Sequence, residues 1–465
     1  MNKSFAGKVT RATGAGSNVV LATVKVLAQV DRSMVLAGAA EGAVPATSRM
    51  RRSLTGSISQ LLLLTVVSCS SGSRSGPSTP ASGTQQTSSS VETRPKVAPN
   101  QTPAFVGQTR IQAVTTQAAY HATAIATGLN HPWGISFLPD GRLMVSERPG
   151  SIRIVARTGS LGLPIRNVPP VRALGEGGLL DIQLDLDFAT SRLVFWSYVE
   201  PVDNTGVNCV ARGRLSDDEA SFEDVQVIYR STTPYTGTLH TGSRMLFDSG
   251  GLLYVTFGER SDNAIRVQSQ QLNSSLGKII QINKDGSPAT GNPFATTPDA
   301  RAEVFTYGHR NPQGLAFNPV THELWESEHG PQAGDEINII RAGANYGWPI
   351  IAYGLEYSGA PVNGTGLTQR DGMEQPVYYW DPVIAPSGMT FYTGSLFPEW
   401  QNNLFVAALA GQHIVRLTIA NNRITGEERL LADLRARFRH IVQGPDEALY
   451  ALTDETEGRI FRIAP

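Results

Sequence analysis

The sequence predicts an all-β fold, a six-bladed β-propeller built from four-stranded antiparallel sheets. A repeated unit carries this prediction: an alternating strand, a turn that in its clearest copy reads Pro-Asp-Gly, and a second alternating strand. The glycine and proline content, 46 and 28 of 465 residues, is typical of a chain with many short strands and tight turns. The copies of the unit lie at 133–145, 245–255, 314–325 and 441–452, and the regions 179–229 and 388–431 bring the number to six.

A ring of sheets explains why these units occur together. Each unit is a small antiparallel sheet that cannot bury both faces alone, and neighbouring sheets in a ring bury them mutually. A β-sandwich is the alternative fold, and the recurrence of the turn at blade-like spacing favours the propeller. We assign the propeller, as the catalytic domain, to residues 119–465, with a long insertion between Gly354 and Tyr378 near one face.

Charge and cysteine content exclude several classes of protein. The formal net charge is -1, with 39 basic and 40 acidic residues, so nothing in the composition indicates a nucleic-acid partner. Only Cys209 lies in the predicted domain, which excludes an intramolecular disulfide and a zinc site with paired cysteines there.

The N-terminal residues predict export and a lipid anchor. Residues 50–69 combine a basic start, a short leucine-rich run and Val-Val-Ser-Cys, as in a bacterial lipoprotein signal peptide in which Cys69 becomes lipidated. The alternative is a signal peptide with an incidental cysteine. A signal peptide begins a chain, so we interpret residues 1–49 as an over-extended N-terminus, the alternative being a long presequence. Residues 70–118 are predicted to form a disordered Ser/Thr/Pro-rich tether.

Polar motifs interrupt the strand pattern on the loops between strands. His240 precedes one strand and can act as a general base, and Arg310 with Asn311 precedes another and can bind a carbonyl or anionic oxygen. Arg437 and Arg439 lie one residue apart on an extended strand and suit a ligand with several carboxylates. Because such loops converge on the mouth of a propeller channel, we expect these side chains to meet there.

A fourth motif offers oxygen ligands for a metal. The stretch around Gly330, Pro331 and Glu336 presents carbonyls and carboxylates, which favours Ca²⁺ over zinc. Each motif taken alone also fits a structural role: a turn histidine, a solvated acidic turn, or arginines paired with surface acids. Their convergence at one end of a propeller is the argument for a site.

Seven motifs together resemble the family of pyrroloquinoline quinone (PQQ)-dependent soluble glucose dehydrogenases and aldose sugar dehydrogenases. The resemblance extends from about residue 124 to 464, and GHRNPQG together with the DEIN and NYGWP motifs is its most specific part. The motifs are GLNHPWG, GEGGLLD, HTGSR, GHRNPQGLAF, EHGPQAGDEIN, NYGWP and RFR.

The resemblance implies a quinoprotein oxidoreductase with PQQ and Ca²⁺ as cofactors. It implies that His240 is the catalytic base that takes the proton of the sugar C1 hydroxyl, and that Arg310 and Asn311 stabilise charge on the quinone. One Ca²⁺ would be held by the carbonyls of Gly330 and Pro331, and a second by Glu336 and the Tyr346 carbonyl. The cofactor-binding positions implied are Glu176, Arg310, Asn311, Tyr357, Ala408, Leu409, Ala410, Arg437 and Arg439.

Two positions differ from the family pattern. Glu176 stands where the family usually has glutamine, and Ala410 stands where it has a lysine that contacts the quinone carboxylates. An added anion and a missing cation both weaken a site for a tri-anionic cofactor, and Arg437 and Arg439 partly offset this.

The expected function is oxidation of the C1 hydroxyl of an aldose sugar, or of a related aldehyde such as sorbosone, at the periplasmic face of the cell envelope. The electrons would pass to a cytochrome or quinone acceptor, and contact with the membrane would come only through the lipid anchor. Two alternatives stay open. One is a Ca²⁺-dependent propeller lactonase that uses water in place of the quinone. The other is a non-catalytic propeller that binds carbohydrate or protein.

Overall fold

Short antiparallel strands make up most of the regular structure in the computed structural model, which describes residues 89–465. The predictions for residues 1–49, for the signal peptide at 50–69 and for Cys69 lie outside the described residues. Among the described helices, none has the length and apolar character needed to cross a membrane.

The strands follow one another with only short helical turns between them. In chain order they are β1 (His121–Leu129), β2 (Pro132–Phe137), β3 (Leu143–Glu147), β4 (Ser151–Val155), β5 (Leu179–Leu184), β6 (Leu193–Val202), β7 (Thr205–Leu215), β8 (Phe222–Arg230), β9 (Gly242–Phe247), β10 (Leu253–Phe257), β11 (Lys278–Ile282), β12 (Val304–Tyr307), β13 (Pro312–Phe317), β14 (Leu324–Glu328), β15 (Asp335–Ile340), β16 (Tyr378–Trp380), β17 (Pro386–Phe391), β18 (Leu404–Ala408), β19 (His413–Ala420), β20 (Arg423–Leu430), β21 (Phe438–Gln443), β22 (Leu449–Thr453) and β23 (Gly458–Ala464). The helical segments are α1 (Phe188–Ser191) and the 3-10 turns Arg266–Gln270, Val362–Gly364, Pro398–Trp400 and Ala432–Leu434.

Six antiparallel sheets form the blades, which confirms the predicted six-bladed propeller. Blades one to five are β2–β4, β5–β8, β9–β12, β13–β16 and β17–β20, and blade six is β21–β23 with β1 as its outermost strand. The first strand of each blade contacts the first strand of the next, and β21 contacts β2, so the ring is closed. Because β1 comes from the start of the domain and β23 from its end, their pairing joins the two ends of the ring within one sheet.

Five blades have the predicted four strands, and blade one has three. An irregular segment takes the fourth position: the amides of Gly162 and Ile165 donate hydrogen bonds to the carbonyls of Ile154 and Ile152 on β4, both at 2.8 Å. Pro164 lies in this segment and has no amide hydrogen to donate, which prevents a continuous strand.

Apolar clusters fill the spaces between neighbouring blades. Trp196 of blade two packs with Met144 and Ile152 of blade one, and Trp325 of blade four packs with Met389 and Phe391 of blade five. These side chains alternate along their strands with the residues that face the opposite neighbour, as the period of two requires. The core is therefore divided among the blade interfaces, and each blade depends on both neighbours for burial.

The chain before β1 differs from the prediction of a disordered tether as far as residue 118. Residues 89–118 lie against the outer edges of blades four and five, and we call them the strap. Its amides and carbonyls pair with β20 in a parallel bridge between Ala113 and Glu427, and the Gln108 carbonyl accepts a hydrogen bond from Tyr379 at 2.8 Å. Composition predicts disorder here because few apolar side chains are present, but backbone hydrogen bonds to exposed sheet edges hold the segment.

An ion-pair network fastens the strap at Glu92. Its carboxylate contacts Arg94 at 2.7 Å and Arg429 of β20 at 2.8 Å, and the residue is buried. Burial by itself would raise the pKa of Glu92, but the two guanidinium groups outweigh it and lower that pKa to about 2. The folded state therefore binds the ionised carboxylate, and this contribution to stability is present above the usual pKa of 4.5 and is lost as the pH falls toward 2.

We expect Glu92→Gln to lower the melting temperature at pH 7, because Arg94 and Arg429 lose the charge that they bind. The difference from the unmodified protein should shrink as the pH falls from about 4.5, where the carboxylate takes up a proton in the unfolded chain, toward 2, where it takes up a proton in the folded protein. Thermal unfolding of both proteins at a series of pH values measures this. A difference that stays constant down to pH 2 would contradict the assignment.

Candidate active site

Strand direction places the predicted polar residues on one face of the ring. In an antiparallel blade the start of the first strand and the end of the second strand meet at the same edge. His240 precedes β9 and Asn311 precedes β13, while Glu259 follows β10 and His329 follows β14. All four side chains are consequently gathered at the same mouth of the central channel.

His240 lies buried in this mouth, with 5% of its surface exposed. Its Nδ1 lies 2.6 Å from Oε1 of Glu259, which is itself 1% exposed. The other ring nitrogen, Nε2, makes no hydrogen bond to a described residue and belongs to the ring that lines the mouth cavity. When it is ionised, the Glu259 carboxylate accepts the Nδ1 proton and thereby leaves Nε2 as a proton acceptor.

Burial sets the protonation of this pair. It lowers the pKa of His240 to about 3, helped by the nearby Arg310 and Arg260 cations and opposed by Glu176. Burial also raises the pKa of Glu259 to about 7 against the attraction of Arg310. Near neutral pH the imidazole is therefore uncharged, and Glu259 is at the midpoint of its own titration.

Glu176 and Asn311 hold the turn that carries His240. Oε2 of Glu176 accepts a hydrogen bond from the His240 amide at 2.8 Å and from Nδ2 of Asn311 at 3.1 Å. Oδ1 of Asn311 accepts a hydrogen bond from the amide of Gly242 at 3.1 Å. The loops that enter blades two, three and four are thus connected around one histidine.

Arg310 points into the mouth beside His240. Its guanidinium lies 5.2 Å from the Trp348 ring and donates hydrogen bonds to the carbonyls of His329 at 3.0 Å and Gly330 at 2.5 Å. Its amide donates to Oε2 of Glu328 at 2.6 Å. The buried Nε has no hydrogen-bonding partner among the described residues, so the side chain can still bind an acceptor.

The floor of the mouth is a stack of cations on an indole. The Trp133 ring lies 4.0 Å from the Arg244 guanidinium and 5.5 Å from that of Arg439. Asp181 neutralises Arg244 at 2.9 Å, and Asp454 neutralises Arg439 at 2.6 Å. Arg244 of the HTGSR motif, Arg439 and the Trp133 ring between them are all buried.

A cavity of about 750 Å³ opens above His240 and Arg310. The insertion forms one wall with Tyr357, which is 71% exposed. The remaining lining residues are Glu259, Ser261, Asp262, Asn263, Arg266, Trp348, Glu356, Ser358, Ala360, Pro361, Asn363 and Gly364. Aromatic rings with neutral and acidic hydrogen-bonding groups form a surface suited to a polyhydroxylated ligand.

The predicted metal ligands line one small adjoining cavity. Gly330, Pro331, Glu336 and Tyr346 all border it, together with Glu328. The residues predicted as two ligand pairs therefore border the same cavity.

Three carboxylates next to this cavity, those of the buried Glu326 and Glu328 and of the partly exposed Glu336, share one donor group. Nδ2 of Asn338 lies 3.1 Å from Glu326, 3.4 Å from Glu328 and 3.3 Å from Glu336. Burial, reinforced by the charge of Glu328, raises the pKa of both Glu326 and Glu336 well above its usual value. Oε1 of Glu326 has no partner among the described residues. His309 approaches closely enough to share a metal ion with Glu326 and Glu328.

The remaining predicted cofactor positions lie at the opposite side of the mouth. Ala408 and Leu409 are buried at the end of β18, and Ala410 is exposed. The Leu409 carbonyl is 3.5 Å from the guanidinium of Arg437, which is about half exposed. These residues do not border the cavity that contains His240 and Tyr357.

Two mouth residues escaped the sequence analysis. Glu259 is the partner of His240, and its only signal was an acid directly after the strand Leu253–Phe257, where the chain returns to the mouth. Arg148 follows β3 in the same way and donates a hydrogen bond to the Gly175 carbonyl at 3.1 Å. Its charge acts on Arg437, Arg439, Glu176 and Asp454, which places it among the cations of the mouth.

Comparison with known proteins gives a family match over most of the domain. The model of the Glucose / Sorbosone dehydrogenase family matches residues 129–462. The chain is similar to aldose sugar dehydrogenase YliI of Escherichia coli, with 39% identity over 350 residues that cover 75% of this chain and 94% of the relative. It is 25% identical over 418 residues to quinoprotein glucose dehydrogenase B of Acinetobacter calcoaceticus, covering 72% of this chain and 85% of that protein.

Solved structures give the same result. The apo-form of the soluble aldose sugar dehydrogenase of Escherichia coli superposes with a TM-score of 0.72 at 38% identity, covering 75% of this chain and 100% of the other. The PQQ-bound form of aldose sugar dehydrogenase from Streptomyces coelicolor superposes with a TM-score of 0.61 at 29% identity, covering 74% and 98%.

We expect ¹⁵N NMR of labelled histidine to show a neutral His240 ring from pH 5 to 9, with its signals changing near pH 7 as Glu259 ionises. Ionised Glu259 accepts the Nδ1 proton, whereas the protonated carboxyl donates to Nδ1 and moves the ring proton to Nε2. In Glu259→Gln this change near pH 7 should vanish. Its persistence in that variant would assign the titration to another group.

Proposed function

Because the chain belongs to the Glucose / Sorbosone dehydrogenase family, we propose that it is a PQQ- and Ca²⁺-dependent enzyme that oxidises the C1 hydroxyl of an aldose sugar, or a related aldehyde such as sorbosone. The observation that carries the proposal is the arrangement of His240. Its Nε2 lines the cavity while Glu259 holds Nδ1 at 2.6 Å. This is the geometry of a general base.

Unpaired donors in the mouth support a ligand rich in acceptor oxygens. Nε of Arg310, Nε of Arg439, Nε of Arg260 and Nε2 of His329 are buried and have no hydrogen-bonding partner among the described residues. A buried donor without a partner costs free energy, which a carboxylate or quinone oxygen would recover. The residues present therefore fit PQQ, which carries three carboxylates and a quinone. Ala410 offers no positive charge to these carboxylates, but Arg148 adds a cation elsewhere at the mouth.

PQQ, when bound, supplies a quinone that accepts the hydride from C1 of the sugar. His240 accepts the C1 hydroxyl proton at Nε2, and ionised Glu259 stabilises the resulting imidazolium through Nδ1. Arg310 and Asn311 supply donors for oxygens on which negative charge develops. Trp348 and Tyr357 present aromatic surface for the apolar face of a sugar ring.

The carboxylate cluster supports a Ca²⁺ ion as the second cofactor. Glu326, Glu328 and Glu336 offer only oxygen ligands, as do the carbonyls of Gly330 and Pro331, and such a donor set favours Ca²⁺ over zinc. Three closely spaced carboxylates that share one amide donor, two of them buried, are stable together only if protons or a cation neutralise them. A Ca²⁺ ion provides that charge and would polarise a quinone oxygen held near Arg310.

We further propose that the enzyme is exported and tethered by lipid at Cys69 on the periplasmic face of the cell envelope. The basic, apolar and cysteine-containing parts of residues 50–69 support this. The electron acceptor would then be a cytochrome or quinone that reaches the mouth from the same compartment.

The first test is titration of PQQ with Ca²⁺ into the full chain, followed by dye reduction with a panel of aldoses. We expect saturable binding that EDTA reverses and sugar-dependent reduction. His240→Ala should still bind PQQ but lose turnover by about 10²- to 10⁴-fold, because only the base is removed. Absence of PQQ binding at micromolar concentrations, together with hydrolysis of lactones by the Ca²⁺-loaded protein, would replace the dehydrogenase with a lactonase.

A separate prediction concerns Ala410. We expect Ala410→Lys to tighten PQQ binding by about two- to fivefold, since an exposed cation gains only a modest attraction to a carboxylate. Ala420→Lys is the matched control, because Ala420 is also an exposed alanine and ends β19 at the opposite face of the ring. Equal effects of the two substitutions on the dissociation constant would mean that net charge, and not position 410, is responsible.

A further inference from the structure

Glu176 occupies the position where a neutral glutamine was expected, yet its carboxylate is paired. One oxygen, Oε2, accepts both of the hydrogen bonds that the side chain makes within the mouth, from the His240 amide at 2.8 Å and from Asn311 at 3.1 Å. The Glu176 amide in turn donates to the Thr238 carbonyl at 2.9 Å. Both ends of the residue are therefore bonded to the segment 238–240.

That segment needs such support because His240 adopts a left-handed backbone conformation, with φ of 47°. A non-glycine residue in this region is strained and persists only where its surroundings fix it. The Glu176 carboxylate holds the amide at the start of the turn, and Asn311 holds the amide of Gly242 at its end at 3.1 Å. Glu259 then fixes the ring itself.

We propose that Glu176 is a positioning residue, which clamps the strained turn so that the imidazole of His240 points into the cavity. The role needs a hydrogen-bond acceptor at Oε2 and not a negative charge. A glutamine side chain, whose Oε1 can accept two hydrogen bonds, can therefore perform it, whereas alanine cannot. Only the catalytic effect of this clamp rests on the proposed function; its effect on the conformation of the turn does not.

The charge of Glu176 has a separate consequence that distinguishes glutamate from glutamine. The groups that act on His240 are Glu176, Glu259, Arg260, Arg310 and His329. Among them Glu176 favours the protonated imidazole, against burial and the two arginines. Glutamine at 176 therefore makes His240 a weaker base and removes an anion from a site for an anionic ligand.

Hydrogen exchange of the His240 amide tests the clamp without any cofactor or substrate. In the full chain, we expect exchange about tenfold faster in Glu176→Ala, because the amide loses a charged acceptor, and a rate within about threefold of the unmodified protein in Glu176→Gln. Asp299→Asn is the control, since Asp299 is an exposed acid in the loop between β11 and β12. Unchanged exchange in Glu176→Ala, or equally fast exchange in both Glu176 variants, would overturn the proposal.

Steady-state kinetics and PQQ titration give the second readout. Glu176→Ala should lower kcat about 10- to 100-fold without weakening PQQ binding, while Glu176→Gln should recover most of that loss and bind PQQ more tightly. Equal losses of kcat in both variants would assign the role to the charge instead. If the unmodified protein oxidises no sugar, the proposed function fails, and the exchange measurement still decides the clamp.

Discussion

The rest of the structure depends on the pairing of β1 with β23. Each blade buries its faces only against two neighbours, so an open ring would expose the apolar surfaces of blades one and six. Pairing the first strand of the domain with the last closes the ring within one sheet, by an antiparallel ladder that runs from His121 to Leu129 with two shifts of register. Closure also fixes the mouth, because the strand ends that carry His240, Asn311 and Arg439 are then held at set distances around one axis.

The arginine side chains of the mouth are held in place by hydrogen bonds, but their hydrogen-bonding capacity is not fully used. Its arginines are held by carbonyls and by Asp181 and Asp454, yet Arg310 and Arg439 each keep a buried nitrogen without a partner among the described residues. Two of its acids contact His240: Glu176 accepts a hydrogen bond from the His240 amide, and Glu259 contacts Nδ1 of the ring. The site is thereby arranged to receive oxygen acceptors without moving, which is how preorganised sites stabilise developing charge.

Sequence patterns identified the repeated strand-turn-strand units and the polar residues that directly precede a strand. The turn at 139–141 and its copies predicted six blades, and His240, Arg310 and Asn311 were found because polar residues there have no core to fill. Glu259 was missed because a single acid after a strand has no pattern, and the fourth position of blade one was missed because Pro164 breaks the strand that the repeat implies. The ordered strap was missed because backbone hydrogen bonds, which composition does not record, hold it. The sequence marked Glu176 as a departure from the family pattern, but only the coordinates reveal which amides it binds.

The strap has a mechanical consequence. The chain enters the described structure at residue 89 and reaches β1 only after crossing the edges of blades four and five. A pull on the N-terminal end loads the contacts of Glu92 with Arg429 and of Ala113 with Glu427 before any tension reaches β1. Those contacts therefore bear the tension first. The strand that closes the ring is thus shielded from forces transmitted along the chain.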